Sequence, residues 1–211
     1  MKKLLLSIFI VSLVACKKEP KPNGYKINST AQTTVQTSKP NQPAITREEI
    51  IKEANDELMK ALKDKDYKRF AEFIHPEKGV RFSMYAFVDP KNDKQFSKVD
   101  FEKYQPTKTL FTWGSYDGSG DPYRATVNDY LGKWVFSKDF TASQFSLDKF
   151  QGGGNSLNNL ENIYPKLNFT ENYIKGTEKN SEMDWKTLRF VFEDFKGKYY
   201  LVGVINDQWT I

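Results

Sequence analysis

The chain has 211 residues, with one cysteine and one histidine. Its net charge of +5 and pI near 9.0 would suit a nucleic-acid partner. The distribution of the charges disfavours such a partner, because residues 46–211 carry 25 basic and 26 acidic side chains. The excess of lysine lies in the first 45 residues, and the single cysteine leaves no pair for a disulfide within the chain.

Residues 1–15 are typical of an export signal. Two lysines at 2–3 precede an uncharged apolar stretch at 4–14, about half of the ~20 residues that a membrane-spanning helix needs and the size of a secretory apolar region. The following Leu-Val-Ala-Cys at 13–16 resembles the lipobox of bacterial lipoproteins. The resemblance implies cleavage before Cys16 and its acylation, for example with palmitate. The alternative is an ordinary secretory signal followed by a chance cysteine.

The lipobox resemblance also implies a location. Two or more acyl chains hold a protein durably on a membrane surface, so we expect a cell-envelope protein whose membrane partner is reached through the lipid on Cys16. Lys17 follows that cysteine, where some lipoproteins of cells with two membranes carry an aspartate that retains them at the inner membrane. In such a cell the outer membrane is therefore favoured.

Residues 16–45 are predicted to be the lipidated cysteine and a flexible tether. Residues 17–45 contain four prolines, many polar side chains and few apolar ones, a composition that cannot bury enough surface to order the chain. As a flexible coil they would span roughly 30 Å. Their five lysines outnumber the single Glu19 and would lie near anionic headgroups.

Residues 46–211 are predicted to form one globular domain, which opens with two helices. Thr46 and Glu49 make a capping box ahead of an apolar face that runs from Ile50 to Leu62. Asp66 is predicted to cap a shorter helix, which must end near His75 because the next residue is proline.

The rest of the domain is predicted to be mainly strands and turns. Residues 80–85 and 110–113 have strand-like composition, 117–122 form a turn, 126–134 a third helix and 151–159 a loop. Residues 185–192 and 199–205 form the arms of a glycine-containing hairpin. Helices followed by strands indicate an α+β fold with helices on a mainly antiparallel sheet.

The pattern over residues 50–76 and 188–205 resembles NTF2-like domains. This resemblance implies a cone built from two N-terminal helices packed on a curved, mainly antiparallel sheet with a C-terminal hairpin. Residues 75–82 and 209–211 also resemble segments of uncharacterised envelope lipoproteins, whereas 90–165 fit less well. The mouth of such a cone can be an enzyme pocket, a ligand site or filled core, so the fold does not determine the function.

Few residues suggest catalysis or metal binding. His75 is a candidate general base, and its alternative role is to cap or pack locally beside Pro76. Asp117 and Asp121 flank a Gly-Ser-Gly turn and are weak metal candidates, since they lack the ligand spacing of a calcium loop. No cofactor is predicted.

Aromatic and charged residues suggest a ligand cavity. Such pockets combine apolar area with a few polar groups, and the candidates are Arg81, Trp113, Tyr116, Trp185, Asp207 and Trp209. The alternative for each aromatic residue is a place in the core. Arg81 would otherwise face solvent or form a buried pair with Glu77 or an aspartate.

Two functions follow from these observations. The favoured one is a non-enzymatic envelope lipoprotein that binds a small ligand, a glycan or a partner protein. The alternative is an isomerase or dehydratase that uses His75 or a carboxylate as a base in a hydrophobic cone.

Overall fold

The computed structural model describes residues 45–210. The predicted export signal, Cys16 and all of the predicted tether but its last residue lie outside the described residues. Within the described part, no helix is long and apolar enough to cross a membrane.

Two helices open the described chain. The capping box predicted at Thr46 is present: the Glu49 N–H donates to Thr46 Oγ1 at 3.2 Å, and the Thr46 N–H donates to the Glu49 carboxylate at 2.7 Å. This box begins α1 (Arg47–Lys63), and Asp66 caps α2 (Tyr67–Ala71). Ile50, which was expected on the apolar face of α1, is instead 42% exposed.

Short elements and strands follow. The remaining helices are α3 (Lys98–Tyr104), α4 (Val127–Tyr130) and α5 (Leu160–Ile163). The single third helix predicted at 126–134 is instead α4 followed by a π-helical turn (Leu131–Val135). Short 3-10 turns lie at Phe140–Ala142 and Glu178–Asn180. The strands are β1 (Val80–Ser83), β2 (Lys94–Phe96), β3 (Phe111–Ser115), β4 (Pro122–Ala125), β5 (Gln144–Leu147), β6 (Asn168–Ile174), β7 (Lys186–Phe195) and β8 (Lys198–Gln208).

Six of these strands form one sheet in the order β2-β1-β8-β7-β6-β5, and β3 and β4 form a separate pair. Only β1 and β8 run parallel within the six-stranded sheet; its other neighbours are antiparallel. The predicted α+β fold with a mostly antiparallel sheet is therefore confirmed. The predicted closing hairpin is also present, and its two loop residues, Lys196 and Gly197, both have positive φ, as a tight two-residue hairpin turn requires.

Both faces of the sheet are covered. On one face, apolar side chains of α1 and α2 join Leu188, Phe190 and Phe192 in the larger part of the core. On the other face, a segment that includes Phe150 and Leu160 packs on Phe169, Val191 and Ile205. A strand covered on both sides can bury polar side chains as well as apolar ones, and the sheet does so in its central strands.

Candidate functional site

An open pocket of about 320 Å³ lies at the open end of the closing hairpin, where β7 begins and β8 ends. Its walls come from the segment after β1, the segment after β3, the π-helical turn and the adjoining ends of β7 and β8. We call it the aromatic pocket, and it is lined by Tyr85, Tyr116, Asp117, Lys133, Trp134, Lys186, Gln208, Trp209 and Thr210. Two predicted ligand residues, Tyr116 and Trp209, are thus brought together with the weak metal candidate Asp117.

The aromatic walls are held in place by one another. The Trp134 ring lies 5.3 Å from Tyr85, 6.2 Å from Tyr116 and 5.7 Å from Tyr123, measured between ring centroids. The Tyr85 hydroxyl accepts a hydrogen bond from the Asp117 N–H at 3.0 Å. Trp209 is different, because 41% of its surface is exposed. The pocket therefore has a packed aromatic wall and one tryptophan open to solvent.

Lys133 is a positioned cation on one side of the pocket. Its ammonium donates to the Tyr116 hydroxyl at 2.8 Å, and Nζ lies 5.2 Å and 4.9 Å from the ring centroids of Tyr116 and Tyr123. Such placement over an aromatic face is attractive for a cation. The hydrogen bond to Tyr116 raises the pKa of Lys133, so this side chain is charged at neutral pH.

Lys186 is a second cation, half-buried at the start of β7. Its ammonium donates to Ser137 Oγ at 2.7 Å. Burial, with a further contribution from the positive charge of Lys138, lowers the pKa of Lys186 to about 8. Nζ of Lys133 thus contacts the Tyr116 hydroxyl and Nζ of Lys186 the Ser137 hydroxyl, whereas Lys138 lies 3.9 Å from the Asp184 carboxylate.

The other two predicted tryptophans belong to the core. Trp113 is fully buried; its ring stacks on Tyr130 with centroids 3.8 Å apart, and its indole N–H donates to the Ala125 carbonyl at 3.0 Å. Trp185 is also buried, and Gly154 packs so closely that an added Cβ would come within 2.8 Å of the indole. Both follow the alternative in which aromatic residues fill the interior.

Asp207 lies in a buried ionic cluster instead of the aromatic pocket. The Arg189 guanidinium donates to the Glu171 carboxylate at 2.6 Å and to the Asp207 carboxylate at 3.0 Å. Glu171 also accepts the backbone N–H groups of Gln151 and Gly152. The cluster therefore ties three strands to the segment that covers the sheet. Burial raises the pKa of Asp207, although Arg189 opposes this shift.

Arg81 lines a second cleft, of about 370 Å³, with Lys78 and Tyr164 among its neighbours. Its guanidinium donates to the Pro90 carbonyl at 3.1 Å and to the Gln95 side chain at 2.6 Å. Arg81 was expected either to face solvent or to form a buried ion pair. It is half-buried, and these hydrogen bonds go to neutral oxygens. It does not line the aromatic pocket.

His75 is buried between the first helices and the closing hairpin. Its Nδ1 accepts the backbone N–H groups of Glu77 at 3.2 Å and Lys78 at 3.0 Å, and its ring lies 5.0 Å from that of Phe195. Because Nδ1 accepts two hydrogen bonds, the ring proton belongs on Nε2. This is the local capping role that was the alternative to catalysis.

Asp117 and Asp121 flank a tight turn. The Tyr116 N–H donates to the Asp121 carbonyl at 2.8 Å, and Gly118 and Gly120 have positive φ. Among the described residues, no group of three or more histidine, cysteine, aspartate or glutamate side chains is arranged to hold a metal ion.

Sequence reasoning missed several residues of these sites. Lys133 and Lys186 carry no local signal that separates them from the other lysines, and Trp134 was assigned only to a helix. Asp93 was also missed: burial raises its pKa to about 6, opposed by hydrogen bonds from the Asp89 backbone and Ser83. It lies in a third cleft beside Trp113.

No protein-family model matches the chain, and no curated protein matches it either. The interpretation of the aromatic pocket therefore rests on its own residues.

Proposed function

We propose that the chain is a bacterial cell-envelope lipoprotein, anchored by lipid on Cys16, whose domain binds a small saccharide in the aromatic pocket. The observation that carries the proposal is the combination of exposed ring surface at Trp209 with the charged and polar groups around it. The lipid would hold the domain at the membrane, with residues 17–45 as its tether.

The anchor is supported by the Leu-Val-Ala-Cys sequence at 13–16 and by the short apolar stretch before it. Cells that express the chain should incorporate labelled palmitate into it, and Cys16→Ala should abolish the label. Ser12→Ala, a nearby change that leaves the cysteine in place, is the matched control and should retain it. Label that persists in Cys16→Ala would refute the anchor, because the chain has no other cysteine.

We also propose that this α+β domain has an NTF2-like fold, and the order of its elements supports the proposal. Two helices precede a sheet whose last two strands form a hairpin. The β3–β4 pair, the π-helical turn and the covering segment fall within residues 90–165, the part of the sequence that fits the resemblance least. These elements would be additions to the basic fold.

The chemistry of the pocket favours a saccharide. A pyranose ring has an apolar C–H face that packs on aromatic rings, and hydroxyl groups that need hydrogen-bonding partners around its edge. Trp209 and Tyr116 supply ring surface, while Gln208 and the two lysines supply polar groups. The volume of about 320 Å³ is near the lower end of the range for ligand pockets, ~300–1,000 Å³. A ligand of one or two sugar units therefore fits best.

The test is a panel of mono- and disaccharides added to the purified full-length protein, followed by thermal shift and tryptophan fluorescence. We expect at least one sugar to raise the melting temperature, and Trp209→Ala to weaken its binding at least tenfold. Leu157→Ala removes an exposed apolar side chain outside the pocket and should leave binding unchanged. Absence of binding across the panel, or unchanged affinity in Trp209→Ala, would refute the proposal.

The enzymatic alternative retains one supporting observation, the carboxyl of Asp93 with its pKa near 6. A general base works best when its pKa lies near the operating pH, and Asp93 meets this condition. Asp93 lines the cleft beside Trp113 and not the aromatic pocket, so turnover of a panel sugar that NMR detects with the wild type but not with Asp93→Asn would assign an enzymatic function to that cleft. Recovery of the sugar unchanged supports the binding function.

A further inference from the structure

Positive charge dominates the aromatic pocket. Lys133 lines it from the π-helical turn and Lys186 from the start of β7, and among the described lining residues Asp117 is the one acidic side chain. Lys138, outside the lining, lies close enough to lower the pKa of Lys186, and its own ammonium lies 3.9 Å from the Asp184 carboxylate. The Tyr116 and Ser137 hydroxyls that accept from the two ammonium groups carry no charge, and a cation with a neutral partner is costly for a half-buried side chain such as Lys186.

Lys186 makes the stronger case, because it is half-buried and the described partner of its ammonium is neutral. Its ammonium contacts the neutral Ser137 hydroxyl, while Lys138 opposes its charge. An ammonium has three N–H donors, so two remain after the bond to Ser137. An anion in the pocket would accept these hydrogen bonds and neutralise the charge that burial disfavours.

Lys133 provides a second contact with a defined position. The Tyr116 hydroxyl takes one of its donors, and the Tyr116 and Tyr123 rings hold the ammonium from the side. Two donors again remain for a ligand. Because the lysine is held before any ligand arrives, less side-chain entropy is lost when the ligand binds.

We propose that the ligand of the aromatic pocket is an acidic saccharide, whose anionic group binds Lys186 and Lys133 while its ring packs on Trp209. This inference rests on the proposed saccharide function and specifies its ligand class. The anionic group can be the carboxylate of a uronic acid or a sugar phosphate, since both present oxygen acceptors to an ammonium.

The test compares neutral and acidic sugars of the same stereochemistry. The pairs are methyl glucoside with methyl glucuronide, methyl galactoside with methyl galacturonide, and N-acetylglucosamine with its 6-phosphate. Dissociation constants are measured by calorimetry at pH 7 on the full-length protein. We expect at least one acidic member to bind ten times more tightly than its neutral partner, with an advantage that decreases as salt is added. The pair that responds distinguishes the carboxylate from the phosphate.

The variants identify the source of the preference. Lys186→Gln should reduce the acidic advantage to less than threefold, Lys186→Arg should preserve most of it, and Lys149→Gln, outside the pocket lining, should have no effect. If Lys186→Gln does not fold, Lys133→Gln makes the same comparison. Equal binding of the neutral and acidic members would overturn the acidic ligand while leaving the saccharide function intact. Absence of binding by every member would overturn both.

Discussion

Replacement of Arg189 by methionine tests the buried ionic cluster. Arg189 has 0% exposure, and its guanidinium contacts two buried carboxylates, at 2.6 Å to Glu171 and 3.0 Å to Asp207. At an effective dielectric constant of ~20, each contact is worth about 6 kcal/mol before desolvation is subtracted. Methionine retains much of the side-chain volume but leaves both carboxylates without their cation.

The expected loss is about 3–5 kcal/mol, the usual cost of removing one partner from a buried ion pair. With a urea slope of about 2 kcal/mol per molar, the midpoint of unfolding at pH 7 should fall by roughly 1.5–2.5 M. Tryptophan fluorescence reports the transition, because Trp113, Trp134 and Trp185 are buried. The deficit should decrease at low pH, because burial raises the pKa of Asp207 and its protonated carboxyl needs no cation.

Two controls separate the charge effect from other causes. Lys52→Met disrupts an exposed pair with Asp56 and should change stability very little, since such pairs contribute between about 0 and 1 kcal/mol. The triple change of Arg189→Met with Glu171→Gln and Asp207→Asn removes all three charges and should recover part of the loss. If Arg189→Met unfolds within about 1 kcal/mol of the wild type, the argument from buried charge is wrong.

Three further changes have predicted outcomes. Gly152→Ala should destabilise the fold by about 1–3 kcal/mol, because its Cβ would come within 2.4 Å of Thr187, whereas Gly153→Ala, with open space around it, should be neutral in urea unfolding; equal effects would contradict this packing. Burial raises the pKa of Asp93 from 3.8 to about 6. The stability that its protonated carboxyl contributes is therefore complete below pH 3.8 and is lost as the pH rises through 6. Asp93→Asn should therefore gain melting temperature relative to the wild type over that window, and a constant difference would refute the assignment. Burial lowers the pKa of Lys186 from 10.5 to about 8, so its charge destabilises the fold fully below pH 8 and this cost disappears as the pH rises toward 10.5. Lys186→Gln should therefore raise the melting temperature of the unliganded protein at pH 7 and have little effect at pH 10.5. A melting temperature lower than that of the wild type at pH 7 would refute this prediction.

Local signals explain which elements could be predicted from the sequence. The capping box of Thr46 and Glu49 and the two-residue turn at Lys196 and Gly197 depend on neighbouring residues, and both occur where the sequence indicates them. Pairing between distant segments has no such signal. The parallel alignment of Arg81 with Gly203 depends on contacts that no short sequence pattern encodes.

The candidate site, too, could be predicted only in part from the sequence. The aromatic composition suggested a ligand cavity, and Tyr116 and Trp209 line a pocket, but composition does not reveal that Trp113 faces the core. Arg189 was missed because it alternates with Leu188 and Phe190 in a strand, a pattern typical of a side chain that faces solvent. The covering segment that includes Phe150 buries that second face, and this covering could not be inferred from the strand itself.

An NMR titration that follows the tryptophan indole N–H signals tests most directly whether the aromatic pocket binds an acidic saccharide. The chain has four tryptophans, and Trp134 and Trp209 line the aromatic pocket while Trp113 is buried elsewhere. With methyl glucuronide, methyl galacturonide or N-acetylglucosamine 6-phosphate, whichever binds, the signals of Trp134 and Trp209 should shift to saturation and that of Trp113 should remain still. Stationary Trp134 and Trp209 signals at saturating concentrations of all three would contradict the proposal that this pocket binds an acidic saccharide.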